Sequence, residues 1–188
     1  MPDPARHVHD PRVLRAIAHP VRNRILEELG AGGPQRAADM ASVLGIPANQ
    51  ASFHLRQLAK YGLVVEAPEA ARDGRDRVWR AVHEAGLTIN INELAEVPGG
   101  KAAATVYRNE ATASAHEAVD RAFTAERQPD STVVVANTGL RLTRDDARAF
   151  AAELDALVEQ WRLRGQGTAA PGSHTYQLLQ ILQPARDA

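Results

Sequence analysis

One stretch constrains the rest of the chain: Arg36 to Val65, reading RAADMASVLGIPANQASFHLRQLAKYGLVV. Two helical patterns flank a tight break at Gly45-Ile46-Pro47, and Gly62 stops the second before a β-branched run begins. The second helix, 48–61, carries Ala51, Leu55 and Leu58 at i, i+4 and i+7, a stripe that needs a core behind it. Its opposite face offers Asn49, Gln50, Phe53, Arg56, Gln57 and Lys60, and no acidic residue occurs between Met40 and Val65. Amides and hydroxyls on such a face can bond base edges in a major groove, while cations meet phosphate. The rest of the chain should serve to position this helix.

At 188 residues there is length for one large domain or two small ones. The absence of cysteine removes disulfides, thiolate metal sites and cysteine nucleophiles. No apolar run approaches the ~20 residues of a membrane helix, and the N-terminus lacks a signal-peptide core, so a cytoplasmic protein is expected. The net charge of −1 singles out no partner, but its distribution is uneven. Residues 1–83 hold 12 Lys/Arg against 9 Asp/Glu, a balance of +3; residues 84–188 hold 10 against 14, a balance of −4. The basic excess thus lies with the proposed reading helix.

Upstream, Asp10 and Pro11 open a helix as N-cap and first-turn proline. Val13, Leu14, Ile17 and Ala18 give it an apolar face, and His19-Pro20 breaks it. A second helix spans Val21–Leu29 and ends at Gly30, Gly32, Gly33 and Pro34. A third, Arg36–Leu44, buries Ala37, Met40, Ala41 and Leu44. The residues up to His9 read as a frayed tail. Downstream, Leu63–Ala67 and Arg77–Val82 read as strands around a loop with Asp73-Gly74, a β-hairpin. Arg72, Arg75, Arg77 and Arg80 on its tip and second strand would make a wing over 66–80, able to grip backbone or enter a minor groove.

These residues resemble a known family. Ala16-Ile17-Ala18-His19-Pro20-Val21-Arg22-Asn23-Arg24-Ile25-Leu26 looks like the opening of ArsR/SmtB-type winged-helix transcriptional regulators. Gly45 to Leu58 is similar to their recognition-helix signature, with Ser52-Phe53-His54-Leu55 at its centre. Lys60-Tyr61-Gly62-Leu63-Val64 resembles their helix exit, and Gly74-Arg75 their wing. The match is collinear from about Asp10 to Val82. Phe53 departs from the polar residue common there, which implies an apolar base contact such as a thymine methyl. The family's metal-sensing signatures are missing, and His19 falls at a position that is structural in the family, a junction residue that packs or caps. His54 could bond a phosphate or its own scaffold.

The second half reads mainly as architecture. Leu87–Asn92 alternates as a strand would, and an alanine-rich helix runs from about Lys101 to Arg127, anchored by Val106, Tyr107, Val119 and Phe123. Thr132–Ala136 is a buried-type strand. Thr143-x-x-Asp146 has capping-box form and starts a helix striped by Phe150, Leu154, Leu157, Val158 and Trp161. Gly165–Ser173 is a loop, and Tyr176–Leu182 a last strand. His7 with His9, and His116 with Asp120, are metal-ligand pairs in spacing only, since further ligands are lacking.

The expectation is therefore an α+β, mostly helical chain. A winged helix-turn-helix DNA-binding domain would fill 10–84. A C-terminal dimerisation or effector domain, 85–188, would hold two long helices and a small β-sheet. The function expected is a sequence-specific transcriptional regulator, a homodimeric repressor on a palindromic operator of double-stranded DNA. The expected contacts are Asn49, Gln50, Ser52, Phe53, His54, Arg56 and Lys60 on the helix, with Arg72, Arg75 and Arg77 on the wing. No enzyme activity, cofactor, metal or membrane partner is expected. The alternatives are a winged helix kept for protein interaction, favoured by Phe53, or a regulator whose second half takes a small-molecule effector.

Overall fold

The computed structural model describes residues 6–7, 10–71, 77–82, 87–88, 91–124, 130–166 and 173–185. Its contacts divide the chain into two compact units, Met1–Ser114 and Ala115–Ala188. The described residues are mostly helical, with a three-stranded antiparallel sheet and a helix-turn-helix in the first unit.

Helix α1, Pro11–Ile17, opens as its sequence predicts: the Asp10 side chain accepts from the Arg12 N–H at 2.8 Å. Helix α2, Pro20–Gly32, outlasts its first glycines. Lacking a Cβ, Gly30 and Gly32 weaken a helix without stopping it, and only Gly33, at φ +77°, turns the chain away. Helices α3, Ala37–Leu44, and α4, Ala48–Lys60, follow.

Strands β3, Val64–Glu66, and β4, Val78–Ala81, pair antiparallel with Val65 opposite Arg80. Bonds from Ala67 N–H to the Val78 carbonyl and from Val82 N–H to the Leu63 carbonyl lengthen the ladder. A strand the sequence did not announce, β2 at Gln35–Arg36, pairs with the free side of β4, giving the order β2-β4-β3. Two residues show no period, so only the tertiary ladder could reveal it. Leu14, Ile25, Leu29, Met40, Leu55, Leu58 and Val64 close a core between the helices and the sheet.

Two expectations near the ends of this unit fail. Arg6–His7, expected to fray, forms β1, paired parallel with β5 at Leu87–Thr88. The expected strand over 87–92 is cut short, because Ile91–Ala95 turns into helix α5. Leu94 from α5 and Ala103 and Ala104 from α6, Gly100–Thr124, join the core. Gly100 allows this close approach, since a Cβ there would collide with the Leu94 carbonyl oxygen.

In the second unit α7, Arg144–Gly165, starts on the capping box foreseen. Thr143 Oγ1 accepts from the Asp146 N–H at 3.1 Å, and Asp146 accepts from the Thr143 N–H at 3.3 Å. The strands expected at Thr132–Ala136 and Tyr176–Leu182 do not form: among the described residues, 132–142 and 176–182 run without a turn, bend or sheet ladder. A strand exists only through a neighbouring ladder, and none is supplied among the described residues. Of the anchors expected on α6, only Tyr107 packs against the core. Val106, Val119 and Phe123 are exposed, and no described residue after Ala104 is buried. No described helix is long and apolar enough to cross a membrane.

Candidate nucleic-acid interface

The helix-turn-helix is built around one glycine. Gly45 takes φ +64°, which lets its N–H reach the Ala41 and Ser42 carbonyls and lets the Ile46 N–H follow to Ala41 at 3.0 Å. Pro47 then starts α4 with its φ preset at −61° and its carbonyl taken by the Gln50 and Ala51 N–H groups. A side chain at Gly45 would strain the left-handed backbone and misdirect the next helix.

Helix α4 divides as its pattern predicts. Ala51, Leu55 and Leu58 are buried, whereas Asn49, Gln50, Arg56 and Lys60 are exposed and Ser52 and Gln57 are half-buried. Phe53 leaves 49% of its surface open on the outer face. The Asn49 side chain accepts from the Gln50 N–H at 2.9 Å, which ties down the helix's free leading end. Among the described residues, Arg56 and Lys60 have no ion-pair partner. Amide donors and acceptors therefore lead, an aromatic ring follows, and two free cations lie further along.

His54 lies on the core side, with only 8% of its surface exposed. Sequence reasoning counted it among the DNA contacts with the scaffold as the alternative, and its position is the scaffold one. Three residues after Ala51 and four before Leu58, it shares their stripe. Its ring meets that of His19 with centroids 4.7 Å apart, and Phe53 stands edge-on to it at 5.3 Å. His19 is the N-cap residue of α2 but makes no capping bond with its side chain, so packing is its role. Both Nδ1 atoms are buried with no hydrogen-bond partner.

Burial first, and a neighbouring cation second, disfavour a proton on either ring. Burial lowers the His54 pKa, and His19 and then Arg22 lower it further. Burial also lowers that of His19, aided by Arg22 and opposed by Glu110. Arg22 is itself fixed between the last carbonyls of α1, donating to Ala16 at 2.5 Å and Arg15 at 3.2 Å. The joint between α1, α2 and the reading helix is thus an aromatic contact flanked by one cation.

On the wing, Arg77 is exposed and pairs with Glu66 across the hairpin at 3.1 Å, and Arg80 approaches Glu69 at 3.8 Å. Exposed pairs of this kind are each worth about 1 kcal/mol or less. The expected contacts Arg72 and Arg75, with the Asp73-Gly74 turn, lie outside the described residues. No group of three or more His, Asp or Glu able to hold a metal occurs among the described residues.

Residues 17–67 match a family model described as a helix-turn-helix domain. That span runs from the end of α1 to the start of the wing. Comparison with curated proteins found no match. Among solved structures, wild-type MarR from Escherichia coli in apo form is 13% identical, with 81% of this chain and 87% of that one covered at a TM-score of 0.35. A mutant of Lactococcus lactis ZitR in apo form is 20% identical over 77% and 83%, at 0.34. A MarR family regulator from Neisseria meningitidis is 20% identical over 80% and 76%, at 0.30. Overlaps this low transfer no role to individual residues.

Proposed function

We propose that this chain is a sequence-specific DNA-binding transcriptional regulator, a homodimeric repressor of the ArsR/SmtB type without that family's metal-sensing signatures. The reader spans 10–84, and the remainder to residue 188 governs dimerisation and response. One observation carries the reading: α4 buries its apolar stripe and leaves Asn49, Gln50, Phe53, Arg56 and Lys60 facing outward in an acid-free stretch. Asn49 and Gln50 at the leading end suit adenine, whose N6 and N7 take a bidentate amide. Ser52 adds a hydroxyl, and Phe53 suits a thymine methyl. Arg56, Lys60 and the wing arginines Arg72, Arg75 and Arg77 neutralise phosphates on either side.

The test is selection from a random duplex pool by the full chain, repeated with Gln50→Ala. The wild type should enrich a palindrome. The variant should lose roughly 1–3 kcal/mol of preference at one base pair of each half-site while still binding. A pool that emerges unenriched rejects the proposal.

The exposed Phe53 ring also favours a second reading, in which the winged helix holds a protein partner. Phe53→Ala separates the two. A regulator shifts its base preference at one position; an interaction module leaves the selected sequence untouched.

A further inference from the structure

The second unit has a deficit that the reading helix does not explain. None of its described residues is buried, yet it is rich in large apolar side chains. Much of this surface lies in the two segments that the sequence marks as strands and the single chain leaves unpaired. Val133, Val134 and Val135 are exposed in succession, as are Leu178 with Leu179 and Ile181 with Leu182. In a strand, neighbouring side chains point to opposite faces, so consecutive apolar residues need cover on both.

The two segments already lie together. The Thr132 N–H donates to Tyr176 Oη at 3.2 Å, and Arg121 of α6 donates to Gln177 Oε1 at 2.6 Å. No main-chain bond joins 132–142 to 176–182, so apart from the Thr132 N–H their described backbone donors and acceptors are not engaged with one another and can enter a ladder.

We propose that Thr132–Leu142 and Tyr176–Leu182 are the interface with a second copy of this chain and become an intermolecular β-sheet when two copies associate. The biological sense of the pairing rests on the two-fold reader proposed above; the physical case does not. Five exposed large apolar residues come from each segment. At on the order of 100 Å² apiece they offer about 1,000 Å² per chain, or about 2,000 Å² across a pair, against the ~1,600 Å² of a standard stable complex.

Charge points to a like partner. Neither Ser131–Leu140 nor Ser173–Ala185 contains Asp, Glu, Lys or Arg. Such a surface has nothing with which to hold nucleic acid or a charged peptide, and it meets its own copy without repulsion. Native edge strands ordinarily carry charges that block pairing, and these carry none apart from Arg141 at one margin. A two-fold pair also closes on itself, so growth stops at two.

The test is amide hydrogen exchange on the full chain across a dilution series, with mass measured in parallel by sedimentation. Residues 132–142 and 176–182 should become protected with the same concentration dependence as the dimer. Val134→Asp and Leu179→Asp should each raise the dimer Kd by ~100-fold or more, since each buries a charge at the seam. Helical circular dichroism retained by the variants would show that folding is intact. Protection that persists in the diluted monomer would overturn the proposal, because the segments would then be paired within one chain. A dimer whose segments stay unprotected would overturn it, as would a wild type that is monomeric throughout or variants that dimerise normally. None of these readouts involves DNA, so loss of the interface leaves the reading helix to be judged by duplex selection alone.

Discussion

His54 and Gln50 stand four positions apart on the same helix and do opposite work. Gln50 is exposed and offers an amide outward; His54 is buried against His19 with Nδ1 unpaired. The histidine pair gives the reader a pH dependence whose sign is fixed. Both rings have pKa values below the ordinary 6.5, so the folded chain resists a proton that the unfolded chain accepts. The stability involved is fully present above pH 6.5 and is lost as pH falls through the lower folded values. Thermal melts of the full chain should therefore show the reader's Tm dropping between pH 7 and pH 5. His54→Leu should flatten that drop, and equal drops in both proteins would refute the assignment. A different signature is expected of Arg56. Arg56→Ala should weaken all duplexes alike and lower the salt slope by about 1, as loss of one phosphate contact requires.

At the scale of the element, most of the reader is legible in the sequence because its signals are local. Asp10-Pro11, Gly45-Ile46-Pro47 and Gly62, like the Thr143–Asp146 box of the second unit, are caps and stops that act within a few residues. The stripe of α4 is legible because a 3.6-residue period has one buried face, although His54 sits inside it and shows that polarity alone misplaces a residue. The failures share a cause as well. Strand β2, the β1–β5 pair and helix α5 depend on partners distant in the chain, and two to five residues carry too little periodicity to reveal them. Two substitutions gauge the elements. Leu55→Ala should cost roughly 2–5 kcal/mol in chemical denaturation, since it empties a fully buried site behind the reading face. Thr143→Ala should cost about 1 kcal/mol, read as faster amide exchange in the first turn of α7 only.

The molecule as a whole joins a closed first unit to a second unit of uncovered apolar surface. The first has a core and a helix-turn-helix with a polar outer face. The second has a capped helix, α7, and β-branched segments, with no buried residue among those described. The central claim is that α4 meets DNA, and a salt titration of the full chain on its selected palindrome tests it most directly. The account predicts that log K falls linearly with log salt, with a slope set by the phosphates neutralised, and that Arg56→Ala and Lys60→Ala each reduce the slope by about 1. Duplex binding absent at micromolar protein, or indifferent to salt, would contradict it.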